Sequence, residues 1–252
     1  MIDTINDAIN EEFKKRKISS FLDNVPLEEM ILWSKNLSHA KRLDEDKFET
    51  YIKEVFWAVG SLHINFGYLI LSHSGTSAPN GEKGVITFLQ EVQSREHSLS
   101  DIHYWYHVSN CWESIYRVWE RIVSVLEVRY TPKLKDSLYF IDFVMYLEEN
   151  DVLTPKHIKR LKRFFSSWDK IVSKRNDITH GKFNPYQQLK IESKIAPNGQ
   201  VFFEYEFPNL SDEVHRINNL CKRTFELIDL MREVCELDVE PNDNLLRVNI
   251  DR

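Results

Sequence analysis

The chain is predicted to be all-α: a helical bundle with an N-terminal helical extension and one β-hairpin inserted before the last helix. Three observations carry that prediction. Apolar residues recur at three- and four-residue spacing through four long stretches, alternation with period two is confined to one short region, and no internal repeat or low-complexity tract interrupts the pattern. A length of 252 residues with 42% hydrophobic content provides for one large domain or two small ones. A chain of this size buries roughly 70–75% of its unfolded surface.

Taken in order, short amphipathic patterns at about 3–18 and 27–40 predict helices in an extension over residues 1–42. Phe48, Ile52, Val55, Val59, Leu62, Phe66 and Leu69 then mark the first long core helix. A loop is expected at Ser74-Gly75-Thr76-Ser77-Ala78-Pro79-Asn80-Gly81, followed by a short helix at about 84–98. Val108, Cys111, Ile115, Val118, Ile122 and Leu126 mark the second long helix, and a shorter pattern follows at about 138–149. Thr154 is placed as an N-cap, Pro155 at the first helical position and Gly181 just past the end. Those signals predict one long helix whose core face carries Leu161, Phe164, Trp168, Ile171 and Val172. Leu189 to Glu192 and Val201 to Tyr205 alternate around Ala196-Pro197-Asn198-Gly199, which predicts a hairpin at about 187–207. Val214, Ile217, Cys221, Phe225, Ile228 and Met231 define the last helix. The main helical domain is expected over 43–240, with a poorly ordered tail at 241–252.

Composition narrows the function classes. Residues Met1 to Lys17 mix both charge signs and lack an apolar run of signal-peptide type, and no stretch approaches about 18 uninterrupted apolar residues, so a soluble, cytoplasmic chain without membrane association is expected. Cys111, Cys221 and Cys235 fall within helical apolar patterns and show no C-x-x-C spacing, as buried free thiols do. The glycine-containing loop at 74–81 lacks the Gly-Lys-Ser/Thr ending of a nucleotide phosphate loop. A net charge of −6 argues against a generic nucleic-acid binder. Yet Lys156 to Arg175 holds eight Lys/Arg and one acid, Asp169, a local +7 that leaves −13 on the rest. Such a run would focus a polyanion; a plain solvated helix face has the same pattern.

The run ends in Ser173-Lys174-Arg175-Asn176-Asp177-Ile178-Thr179-His180-Gly181. A guanidinium grips phosphate through two parallel hydrogen bonds, and an imidazole exchanges a proton near neutral pH, so this pair of residue types can cleave RNA without a metal. An Arg followed four to six positions later by His arises by chance about 1.5 times in a chain of this composition. Requiring Asn, Asp or His directly after the Arg, and the end of a basic helix, leaves Arg175 alone.

With those residues the sequence resembles the HEPN superfamily, all-α domains named for higher eukaryotes and prokaryotes nucleotide-binding, whose hallmark is Arg, a polar residue, then His. Arg175-Asn176 with His180 is similar to its shortest spacing. The stretch from Ser109 to Arg121, with Asn110 and Glu113, looks like the helix that faces the motif in some members. The first 40 residues and the hairpin have no counterpart in a minimal bundle of this family. The resemblance implies a metal-independent endoribonuclease, free of cofactors, acting as a homodimer with a composite site. Its setting would be toxin–antitoxin pairs, antiviral defence or RNA processing, with an antitoxin or regulatory protein as a further partner.

In that reading Arg175 and His180 are catalytic, Asn176, Glu113 and Asn110 are auxiliary, and Lys174, Lys170 and Lys182 contact RNA. Asn176 either orients Arg175, binds phosphate or serves the helix's C-terminal turn. Glu113 either holds Arg175 or forms an intrahelical pair with Arg117. Some relatives carry a Tyr that a partner nucleotidyltransferase modifies, where this chain has Phe183. His103 and His107, four apart, could present two imidazoles to a metal, although no third ligand is apparent. Trp105, Trp112, Trp119 and Trp168 could stack bases, with core packing the better fit for most. The alternatives are an inactive module of the same kind, binding RNA or a protein, and a purely structural helical dimer.

Overall fold

The computed structural model describes residues 2–15, 27–41, 43–75, 83–86, 99–131, 138–180, 190–206 and 209–237. The protein is mostly helical, with a small three-stranded sheet. In chain order the helices are α1 (Ile2–Lys15), α2 (Leu27–Lys41), α3 (Glu45–Gly75), α4 (Leu99–Tyr130), α5 (Phe140–Glu149), α6 (Pro155–Lys162), α7 (Phe165–Thr179) and α8 (Leu210–Glu236), with strands β1 (Lys83–Ile86), β2 (Lys190–Ile195) and β3 (Val201–Glu206). The chain divides into two compact units, each assembled from three separate stretches. The first comprises Met1–Ile18, Ile64–Trp112 and Lys174–Asn219, and the second Ser19–His63, Glu113–Ser173 and Leu220–Arg252. Helix α1 belongs to the first unit and α2 to the second.

In the first unit, Ile9 and Phe13 of α1, Phe66, Leu69 and Ile70 of α3, Val108 and Cys111 of α4, and Val214 and Ile217 of α8 are buried. The rings of Phe13 and Phe66 lie 6.0 Å apart. Gly67 is what lets α1 come close: a Cβ there would stand 2.6 Å from Ile9 Cγ2. The sheet also belongs here, in the order β1-β3-β2, with both pairings antiparallel. Its β2–β3 hairpin turns as the spacing predicts. Gly199 takes φ +81°, its N–H donates to Ala196 O at 2.8 Å, and Asn198 Oδ1 accepts from Gln200 N at 3.1 Å. This left-handed position suits glycine, which has no Cβ to clash.

The second unit has an aromatic centre. Trp119 is fully buried, its ring 5.3 Å from Phe140, 5.9 Å from Phe164 and 6.0 Å from Trp168, and its Nε1 donates to Thr224 Oγ1 at 2.9 Å. In the same unit Phe48, Ile52, Val55, Val59 and Leu62 of α3 are wholly buried, as are Leu161 of α6 and Ile171 of α7. The end of α8 is closed by α4. Arg129, 1% exposed, donates from Nε to Cys235 O (3.1 Å) and from Nη2 to Leu237 O (2.8 Å), while Tyr130 Oη donates to Val234 O. A guanidinium there answers both the unpaired carbonyls and the negative end of the helix dipole. The span Glu45–His73 has the length and composition to cross a membrane, yet its apolar stripe, from Phe48 to Leu69, forms core.

Three expectations are corrected. The helix from Thr154 to Gly181 is two helices: α6 ends at Lys162, Arg163 and Phe164 form a turn, and α7 restarts at Phe165. Phe164 is buried in that turn, and the amides of Arg163 and Phe164 bond three residues back, to Arg160 and Leu161 carbonyls, which tightens the backbone out of α-geometry. Thr154 does occupy the N-cap position with Pro155 following it, but its hydroxyl pairs with His157 Nδ1 (2.9 Å) instead of capping. Second, Lys83–Ile86, expected to begin a helix over 84–98, is a strand because β3 offers it a pairing edge; residues 87–98 lie outside the described residues. Third, α3 runs through Ser74 and Gly75, where a loop was expected. Residues 76–81 and the tail at 241–252 also lie outside.

Candidate active site

Arg175, Asn176 and His180 lie in the closing turns of α7. His180 N–H donates to Asn176 O at 2.9 Å, so the helical ladder reaches His180 itself. Thr179 Oγ1 donates to Arg175 O at 2.9 Å, folding its hydroxyl back onto the carbonyl four residues earlier in the helix. Asn176 and His180 are exposed, whereas Arg175 is half-buried with its Nε withdrawn from solvent. The motif thus presents an accessible imidazole beside a half-buried arginine.

Lys174 behaves differently from the expected RNA contact. Its side chain is only 19% exposed and its Nζ faces Glu213 Oε1 at 3.9 Å. Burial pushes its pKa down, opposed by Glu213 and Asp177 and assisted by Arg216. Glu213 sits in the first turn of α8, 5% exposed, where the helix dipole favours an acid. It accepts from Trp112 Nε1 at 2.7 Å and from Arg216 Nη1 at 3.3 Å. Nothing in the spacing of Lys174 and Glu213 announces this cluster; the one local signal is the Glu213/Arg216 pair three residues apart on a helix. Of the other proposed contacts, Lys170 is exposed, and Lys182, like Phe183, lies outside the described residues.

Asn110 is half-buried in the same unit as the motif. Glu113 belongs to the second unit and makes the intrahelical pair, accepting from Arg117 Nε at 3.2 Å. Three of the four tryptophans sort as core: Trp112, Trp119 and Trp168 are buried, and Trp168 lies in near-parallel contact with Tyr116 at 5.5 Å, whereas Trp105 is half-buried. His107 is stacked on Tyr68 at 5.0 Å, and its Nδ1 lies 3.3 Å from Asn65 Oδ1. Its pKa is lowered, by burial first and then by His103, whose ring is 6.5 Å away. Among the described residues no cluster of three or more His, Cys, Asp or Glu has the placement of a metal site. Tyr104 donates to Leu210 O at 2.7 Å, and burial raises its phenol well above the usual range, so it stays a donor.

The basic run is likewise less uniform than its sequence. Arg160 reaches Glu233, Lys162 reaches Glu148 and Lys174 reaches Glu213. Comparison with family models, with curated proteins and with solved structures gave no match to this chain.

Proposed function

We propose that the protein is an endoribonuclease of the HEPN kind, cytoplasmic, working as a homodimer in a defence or toxin–antitoxin setting. The observation that carries this reading is the placement of Arg175 and His180 at the end of one helix, the imidazole exposed and the guanidinium-bearing side chain half-buried. Five residues of helix separate them by roughly 7.5 Å along the axis and about 140° around it, too far for one tidy site. A two-fold axis near the ends of two α7 helices would gather two of each.

One His180 then removes the proton of the ribose 2′-OH, the oxygen attacks the adjacent phosphorus, and the other His180 or a water protonates the leaving 5′-oxygen. Arg175 stabilises the charge that grows on the phosphoryl oxygens. The products are a 2′,3′-cyclic phosphate and a 5′-OH, and the residues named supply every proton and charge the scheme needs. DNA lacks the nucleophile.

Incubation of wild type and His180→Ala with mixed tRNA and mRNA in EDTA, followed by end-group analysis, tests the proposal. Fragments ending in cyclic phosphate from wild type alone are the expected result. Activity lost in EDTA and restored by metal, or cleavage of all-deoxy substrate, would overturn it. A second reading, a module that binds RNA or a protein without cleaving, draws on the neutralisation of three basic-run cations by Glu148, Glu213 and Glu233. It predicts salt-sensitive binding without turnover.

A further inference from the structure

The cations of the basic run fall into two classes, and α6 shows it most clearly. From Pro155 to Arg163 there are five cations and no acid. Arg160 and Lys162 are committed to acids brought by other elements, Glu233 of α8 and Glu148 of α5. Lys156, Lys159 and Arg163 are exposed and form no hydrogen bond or ion pair through their side chains among the described residues. Lys156 acts on Glu233 only at a distance, adding to Arg160 and His157 in holding that carboxyl below its usual range. Lys159 and Lys162 line an open cavity of about 300 Å³ with Glu148 and Asp151, so acid borders the group on that side.

At about 100° per residue, Lys156 and Lys159 lie about 60° apart on α6, opposite the buried Ile158 and Leu161, and Arg163 follows on that side as the C-cap residue, its own backbone still in the α region. Along the axis they are about 4.5 Å and about 6 Å apart, a spacing on the scale of one nucleotide. Helix stability favours Lys159 and Arg163, in the last turn and at the C-cap of α6, but does not account for Lys156 or for the three standing together. Lys156 stands in the first turn, which has no acid and where the dipole disfavours a cation, and the three like charges repel one another. An anion on this face would relieve both.

We infer that the outer face of α6 docks the phosphate backbone of RNA, engaging about three phosphates through Lys156, Lys159 and Arg163. The contacts are of the kind that position a strand, since no aromatic side chain stands among them to read a base. A lipid surface fits less well, because the apolar residues of α6, Ile158 and Leu161, are buried and none is left to enter a bilayer. That the polyanion is RNA rests on the ribonuclease reading; the surface itself does not.

The test uses the full chain carrying His180→Ala, titrated with a labelled oligouridylate over a range of salt. In that background the triple variant Lys156→Gln, Lys159→Gln, Arg163→Gln is expected to lower the slope of log K against log salt by about 2, close to 0.7 for each phosphate no longer engaged. Arg160→Gln with Lys162→Gln should leave the slope unchanged, and the charge-preserving Lys156→Arg, Lys159→Arg, Arg163→Lys should retain it. An unchanged slope in the triple variant, or binding to phosphatidylserine vesicles in place of RNA, overturns the inference. Cleavage in EDTA, measured in parallel with and without the triple substitution in a chain retaining His180, separates the two readings. A reduced binding slope with no cleavage keeps the docking face and removes the enzyme, whereas cleavage with KM unmoved by the triple substitution does the reverse.

Discussion

The indole Nε1 of Trp112 donates a 2.7 Å hydrogen bond to Glu213 Oε1, joining the middle of α4 to the first turn of α8 beside the residue that precedes Arg175. Removing the acid takes a partner from Trp112, from Lys174 and from Arg216. Glu213→Ala leaves a buried indole N–H without its acceptor and takes away the acid that faces the largely buried Lys174, and is expected to cost about 3 kcal/mol by chemical denaturation. Glu213→Gln, which keeps an acceptor, should cost less. Equal losses for the two variants would mean that the charge, not the hydrogen bond, is what matters.

Arg175→Lys tests the guanidinium as a two-pronged clamp. Lysine preserves the charge and loses the fork, so turnover of RNA should fall by roughly 10²-fold or more with little change in folding. Quantitative rescue by lysine would reduce Arg175 to a point charge.

His107 makes stability depend on pH. Its folded pKa lies below the ordinary 6.5, so the unfolded chain binds this proton more tightly than the native protein does. The contribution is fully present above pH 6.5 and declines as pH falls through 6.5 toward the lowered value. Melting temperature followed across that window should drop in wild type, and the drop should shrink in His107→Gln.

Gly67→Ala would set a methyl 2.6–2.8 Å from three atoms of the Ile9 side chain. Ile9 is buried on α1, so relieving the strain requires its side chain or that helix to shift, at a cost of about 1–3 kcal/mol. In a double-mutant cycle, Ile9→Ala should be less damaging in the Gly67→Ala background than alone. Additive effects would show that α1 yields freely.

Much of the helical frame was legible because its signal is local. Every apolar position expected on α3 and on α4 is buried, and the exceptions elsewhere, Val172 and Phe225, are half-buried residues at the margins of their stripes. The hairpin was readable from Pro197-Asn198-Gly199 for the same reason. The break at Arg163-Phe164 was not, because no glycine or proline marks it and the burial of Phe164 suits a continuous helix equally well. Strand β1 depends on β3, 115 or more positions away along the chain, and its Val85 is exposed, so four residues carry no pattern of their own. The site divides likewise. The spacing of Arg175 and His180 is a property of one helix, while the burial of Lys174 depends on Glu213, which only the folded chain brings near.

Arg129 is a buried cation that donates to the end of α8. Arg129→Met leaves two carbonyls of the α8 terminus without donors, and Arg129→Lys can serve them only in part, so losses of about 3 kcal/mol and about 2 kcal/mol are expected in urea titrations. Full stability in the methionine variant would show that water replaces the guanidinium at no cost.

Helix α8 also dictates when the protein can exist during its own synthesis. Its first ten residues complete one compact unit and the remainder complete the other, so neither has all its walls until residues 210–236 have left the ribosome. Until then the apolar stripes of α3 and α4 have nothing from α8 to pack against, and the nascent chain is a client for whatever holds unfinished polypeptides apart. A toxic activity built on this frame would have an inherent delay: no ribosome could carry a working copy before translating the last helix.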